Sequence, residues 1–194
     1  MDNEFDRVIP RGGTSSYKYN ERMKFFGTSD VLPLWVADMD FAVPQAVQDA
    51  LMSRAAHPIF GYTAYPESLY QAQISWLGKR HAWLVEREWI VMCPGVVPSL
   101  HAAILALTQL DDAVIVQPPV YAPFFAAPEI VGRRALLNPL KIKDDRYHFD
   151  LNHFEQCAAE GARLLLLCSP HNPVGRVWQP YELQGLLEIC QRYD

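Results

Sequence analysis

The sequence has no dense basic run, no cysteine pair, no long apolar stretch and no internal repeat, and each absence removes a class of protein. The formal charge of −5 over 194 residues is opposite in sign to a nucleic-acid binder's footprint, and Lys and Arg are scattered. Nucleic acid is therefore not an expected partner. No segment approaches the roughly 20 apolar residues of a membrane helix. The polar start, MDNEFDRVIPRGG, carries no signal-peptide core. Cys93, Cys157, Cys168 and Cys190 are far apart and form no C-x-x-C pair, which fits a reduced, cytoplasmic protein. His148 and His153 are close in sequence, but His171 stands alone and no H-E-x-x-H pattern occurs. No metal site is expected.

What is present is enough apolar residue, 50% of the chain, to build one substantial core. After an irregular first thirty residues, broken by Pro10 and Gly12-Gly13, comes LPLWVADMDF (Leu32–Phe41). The spacing of Val47, Ala50, Leu51 and Ala55 predicts a helix from Pro44 to about His57. Leu69, Ala72 and Trp76 predict a second from Pro66 to about His81. Beyond Trp83 the pattern becomes strand, turn, helix. Strands are expected at Trp89–Met92, Ala113–Gln117, near Arg134–Leu137 and at Arg163–Cys168. Helices are expected at about Pro98–Gln109, at Asp150–Ala159 with Asp150 as cap, and at Pro180–Arg192. Strands apolar on both faces, alternating with amphipathic helices, imply an α/β three-layer sandwich around a mostly parallel sheet. The last residues directly follow a helix, where such a sheet ordinarily receives another strand, so the domain is expected to be incomplete at its C-terminus.

Ligands of open α/β sheets bind beyond the carboxyl ends of the strands, and three segments fall there. Pro94–Ser99 (PGVVPS) precedes a helix whose free N–H groups suit a phosphate; an ordinary strand–helix turn has the same sequence. Gln117–Phe124 (QPPVYAPF) stiffens a loop around Tyr121, which is either a flat face for an aromatic ligand or a core tyrosine. Ser169–Gly175 (SPHNPVG) brackets Asn172 with prolines, restricting an amide able to donate to a ligand oxygen, although turns use such residues for their own sake. Together, in this order, the three are more informative than any one.

SPHNPVG resembles the N-P-x-G signature of the fold-type I, pyridoxal-phosphate (PLP)-dependent aminotransferase class I/II superfamily. With LPLWVADMDF, IFGYT and SPHNPVGRVW, nearly the whole chain is similar to its cystathionine β-lyase branch of the MalY/PatB type, the cysteine C–S lyases. The resemblance implies the superfamily's PLP-dependent transferase-like large domain over 46–194, truncated before its last strands. Residues 1–45 would be an N-terminal arm and small-domain or pocket segment. It implies that Val96 and Val97 donate backbone N–H groups to the phosphate of pyridoxal 5'-phosphate, that Tyr121 stacks on its ring and that Asn172 bonds the ring's phenolic oxygen. Tyr62 would reach the cofactor of a second subunit in a homodimer, and Ala37 would line the pocket for a small amino-acid substrate. Asp38 and Asp40 read as either an acid/base pair or the holders of a local turn, with the turn preferred.

The implied reaction is α,β-elimination of L-cystathionine or related cysteine thioethers to thiol, pyruvate and ammonia. Alternatives are an aminotransferase of the same superfamily, or a non-catalytic truncated fragment or interaction module. The Schiff-base lysine of the family falls after the N-P-x-G loop. None of the five lysines, Lys18, Lys24, Lys79, Lys141 and Lys143, stands in such a context, so no catalytic residue is assigned and the chain by itself is expected to be inactive.

Overall fold

Local helix signals and an aromatic cluster organise the first part of the chain, in a computed structural model that describes residues 4–193. The first three residues of the polar start, and Asp194, lie outside those described. The chain divides into two compact units, Met1–Leu69 and Tyr70–Asp194. In the first, the stretch expected to be irregular contains two short helices, α1 (Tyr17–Asn20) and α2 (Arg22–Phe26), the latter stopped by Gly27 in the left-handed conformation. Tyr17, Phe25 and Phe26 surround Trp35 at ring separations of 4.7–5.5 Å, an apolar patch that ties α1 and α2 to the WVADMDF segment. Helix α3 (Gln45–Ala56) forms where Pro44 and the apolar spacing place it, but none of its residues is buried. Helix α4 (Glu67–His81) begins at the boundary between the units and has Lys79 and Arg80 in its last turn, cations suited to a helix C-terminus.

The second unit continues with α5 (Val96–Leu107), β1 (Ala113–Val116), α6 (Pro123–Ile130), β2 (Arg134–Leu137), the hairpin β3 (Lys141–Lys143) and β4 (Arg146–His148), α7 (Leu151–Ala159), β5 (Ala162–Leu166) and α8 (Pro180–Tyr193). The sheet order is β2-β1-β5, all parallel. Strand β1 lies in the middle and is fully buried, as its continuous apolar sequence requires. Its residues alternate sides. Val114 and Val116 pack with Ile104 of α5, Phe124 and Ala127 of α6, and Leu166. Ile115 packs the other way, with Phe154 and Cys157 of α7 and Leu186 and Ile189 of α8. The two-residue period of a strand thus builds two cores on one sheet, giving the three layers expected. Helices α7 and α8 approach closely at Gly185, where an added Cβ would stand 2.8 Å from Leu151 Cδ1.

Three segments of the second unit depart from the sequence reading; one is α6 (Pro123–Ile130), a helix that forms directly after Tyr121 where only a stiff loop was expected. Trp89–Met92, expected as a strand, is instead the end of a short 3₁₀ turn (Arg87–Trp89) followed by irregular chain, with Val91 exposed. Its residues favour a strand, but no strand pairs with it among the described residues, and the Trp89 and Ile90 amides close a local turn onto the Glu86 and Arg87 carbonyls instead. Conversely, Lys141–His148 carries no apolar alternation, yet forms a hairpin around Asp144 and Asp145, both at positive φ. Aspartate tolerates that conformation, and paired positive φ values suit a two-residue hairpin turn.

Helix α7 starts as read: the Asp150 side chain accepts a hydrogen bond from the His153 N–H at 3.2 Å, and its carboxylate also meets Lys141 Nζ at 2.7 Å. Lys141 and the His153 amide both favour the ionised form and hold the Asp150 carboxyl below its ordinary pKa. Asp150→Ala leaves the first turn of α7 uncapped, and urea unfolding is expected to show a loss of about 1 kcal/mol.

Candidate functional site

The carboxyl edge of the sheet gathers the three loops. Helix α5 packs on the sheet and its C-terminus feeds β1 through residues 108–112, so its N-terminus lies at the opposite, carboxyl end of β1. Gly95 precedes it in extended backbone and offers no side-chain cap. The amides of Val96 and Val97 therefore have no intrahelical acceptor, and Pro98 has no N–H at all. Ser99 is turned back, its hydroxyl donating to the Gly95 carbonyl at 2.8 Å. What this end presents is a pair of backbone donors and the positive pole of a helix, suited to an anion.

The loop after β1 and the loop after β5 are joined directly. The Tyr121 N–H donates to the Asn172 carbonyl at 2.9 Å. The Tyr121 ring is half exposed and the Asn172 side chain is exposed, so a planar face and an amide stand at neighbouring positions open to a ligand. Between these loops sits His171, 1% exposed, whose Nε2 lies 3.0 Å from the Pro119 carbonyl. A tight turn closes the second loop: Gly175 N–H donates to the His171 carbonyl, and His171 N–H to the Arg176 carbonyl.

A buried polar layer beneath the loops fixes them. Gln117, the first residue after β1, donates from its side-chain amide to Asn138 Oδ1 at 2.9 Å, and Asn138 Nδ2 donates to the Asp150 carbonyl. Trp178 Nε1 donates to the Cys168 carbonyl at 2.9 Å and its ring lies against Phe149. Arg176 bonds the buried Glu182 carboxylate at 2.6 Å and the Tyr147 carbonyl, while the same carboxylate accepts the Gln179 N–H at the start of α8. Sequence reading missed Gln117, Asn138, His171, Arg176, Trp178 and Glu182 as supports. The available signal was a polar residue directly abutting an apolar strand, as Gln117 follows AVIV.

Ala37 and Tyr62 belong to the first unit. The Tyr62 side chain is exposed, in the irregular segment between α3 and α4. Ala37 is exposed on a turn braced by Arg11, which bonds Asp38 at 2.6 Å and Asp40 at 2.8 Å, and by buried Lys18, which bonds Asp40 at 2.8 Å. Lys18 and then Arg11 draw the Asp40 carboxyl down to about 2. A carboxylate so held is not a proton carrier near neutral pH. In the second unit, a cavity of about 320 Å³ between β5, α7 and α8 involves none of the three loops.

The sequence pattern of the family described as aminotransferase class I and II matches residues 29–194. The chain belongs to that family. It is similar to cystathionine beta-lyase PatB of Bacillus subtilis (strain 168), 44% identical over 96% of this chain and 48% of PatB. Among solved structures it resembles cystalysin from Treponema denticola, which contains a pyridoxal 5'-phosphate cofactor, with a TM-score of 0.89 and 34% identity over 99% of this chain and 50% of that one. The PLP-bound C–S lyase from Staphylococcus hominis gives a TM-score of 0.87 at 28% identity over 100% of this chain and 50% of that one. The chain spans about half the length of the curated relatives it matches. The branch resemblance read from WVADMDF, GYT and SPHNPVGRVW is thus borne out, as is the α/β fold with its parallel sheet. No described helix is long and apolar enough to cross a membrane.

Burial lowers the His171 pKa, outweighing the opposite pull of the Pro119, Gln117 and Cys168 carbonyls. The folded state therefore binds its proton more weakly than the unfolded chain. The stability tied to this group is complete above the unfolded value of about 6.5 and declines as pH falls below it. Comparing pH 7.5 with pH 5.5, the urea midpoint is expected to drop further for the wild type than for His171→Gln, which cannot titrate.

Proposed function

We propose that this chain forms the cofactor cradle of a PLP-dependent carbon–sulfur β-lyase acting on L-cystathionine or a related cysteine thioether. One observation carries the reading: an uncapped helix start, a half-exposed tyrosine ring and an exposed asparagine amide stand on three loops at one sheet edge. That donor set fits a phosphorylated planar heteroaromatic. The Val96 and Val97 amides would hold the phosphate, the Tyr121 ring would lie on the pyridine, and the Asn172 amide would donate to the phenolic oxygen. Ala37 would border the substrate, and Tyr62 would serve the cofactor of a second copy in a homodimer. We place that dimer in the cytoplasm, with residues 46–194 as its large domain and 1–45 as arm and pocket segment. The lyase names of PatB and the Staphylococcus hominis enzyme favour elimination over transamination.

Bound PLP supplies an electron sink for the charge left at the substrate Cα once its proton is removed. The chain's own share is to bind and orient. A fixed phosphate, a stacked ring and a bonded ring oxygen restrict the cofactor to one pose, which is how positioning lowers a barrier. Proton removal and covalent anchoring need a lysine, and none of the five lysines lies in the three loops. Lys18, Lys24 and Lys141 are also committed to Asp40, Glu21 and Asp150. The 194-residue chain is accordingly expected to bind PLP reversibly, seen as a saturable change in PLP absorbance, and to release no pyruvate from L-cystathionine. Steady pyruvate release by this chain would overturn the assignment of its role. In the enzyme supplied with its lysine, ammonia and pyruvate are expected, and transfer of the amino group to a keto acid would favour the aminotransferase reading.

A further inference from the structure

We propose that His171 is a positioning residue: its buried, neutral ring clamps the loop bearing Tyr121 to the loop bearing Asn172, setting the spacing between them. The bearing of this on cofactor binding rests on the PLP reading above; the clamp itself does not. The geometry is specific. His171 is next to Asn172 in sequence, yet its Nε2 reaches across to the Pro119 carbonyl, two residues before Tyr121, at 3.0 Å. The return link is the Tyr121 N–H to the Asn172 carbonyl at 2.9 Å. Two bonds running in opposite senses between the loops fix both distance and rotation, which one bond would leave free.

The chemistry of the ring follows from its partners. A carbonyl only accepts, so in the neutral ring the proton must sit on Nε2 and the lone pair on Nδ1. Nδ1 is buried and has no hydrogen-bond partner, which a protonated Nδ1 would make costlier still. Trp178 closes the site from the side, its ring edge-on to the imidazole at 5.5 Å and 90°, while its own N–H is spent on the Cys168 carbonyl. The imidazole is thus gripped between the ends of β1 and β5 and is given one donor direction. A phenylalanine would fill the same space without the donor. A glutamine would carry an amide nitrogen about as far out as Nε2.

The test uses the 194-residue chain. Nitrogen NMR of wild type at neutral pH is expected to show the Nε2–H tautomer of His171; a proton on Nδ1 would overturn the clamp. In His171→Phe, exchange of the Tyr121 amide is expected to accelerate about tenfold, the weight of one hydrogen bond, while Val114 and Val116 amides keep their protection. His171→Gln is expected to restore Tyr121 protection. Unchanged Tyr121 exchange in His171→Phe would overturn the proposal. If that variant fails to fold, the tautomer and the glutamine variant decide, since loss of Tyr121 protection in folded His171→Gln counts against it. A second readout separates clamp from general stability. PLP affinity is expected to fall about tenfold in His171→Phe, while affinity for inorganic phosphate at the start of α5 stays unchanged. A wild-type chain that binds phosphate but not PLP would sink the cofactor reading and leave the exchange result to judge the clamp.

Discussion

The second unit depends on β1 being buried on both faces. A four-residue strand with no polar side chain can be satisfied only if its backbone is paired on each edge and its side chains are covered above and below. The parallel partners β2 and β5 meet the first demand, and the two helix pairs meet the second. Because every connection returns the chain antiparallel to the sheet, helix starts and strand ends collect at one edge. The site is a product of that geometry: amides from a helix start, and loops from two strand ends. Where β1 stops being apolar, at Gln117, the buried amide takes up Asn138, and the polar layer under the loops begins.

Much of this was legible in the residues. Helices α5, α7 and α8 start within two residues of where the caps and apolar spacing put them, Pro180 opening α8 and Asp150 capping α7, whereas α6 follows a proline-rich loop that gave no helix signal. Ala113–Val116 and Arg134–Leu137 are strands, as their apolar runs imply. The three loops were recognisable because Gly and Pro punctuate them. What escaped was whatever depends on a partner remote in sequence. Trp89–Met92 has the residues of a strand but no neighbour to pair with among the described residues, and Lys141–His148 has a neighbour across its turn but no apolar pattern. His171 read as a lone histidine, because nothing in SPHNPVG reveals that Pro119, 52 residues earlier, lies within hydrogen-bond reach.

The proposed site supplies parts that would bind and none that reacts. In the proposed cradle the contacts would come from backbone amides, an aromatic face and a side-chain amide. Behind them stand His171, kept neutral by burial, and the ion pair of Glu182 with Arg176. Such an arrangement gives a rigid receptor whose reactivity must come from a nucleophile elsewhere, which matches the absence of lysine from the three loops.

The turn that carries Ala37 has a further property. Two carboxylates, Asp38 and Asp40, are met by two cations, Arg11 and Lys18, within 2.8 Å. Opposite charges this close cancel at a distance, and the residual field of the quartet falls off far faster than that of a single ion. A zwitterion approaching this turn is therefore neither drawn in nor turned away by it. On the proposed reading of Ala37 as a pocket residue, discrimination at this turn would reduce to shape, with its methyl a gauge of size instead of a handle for charge.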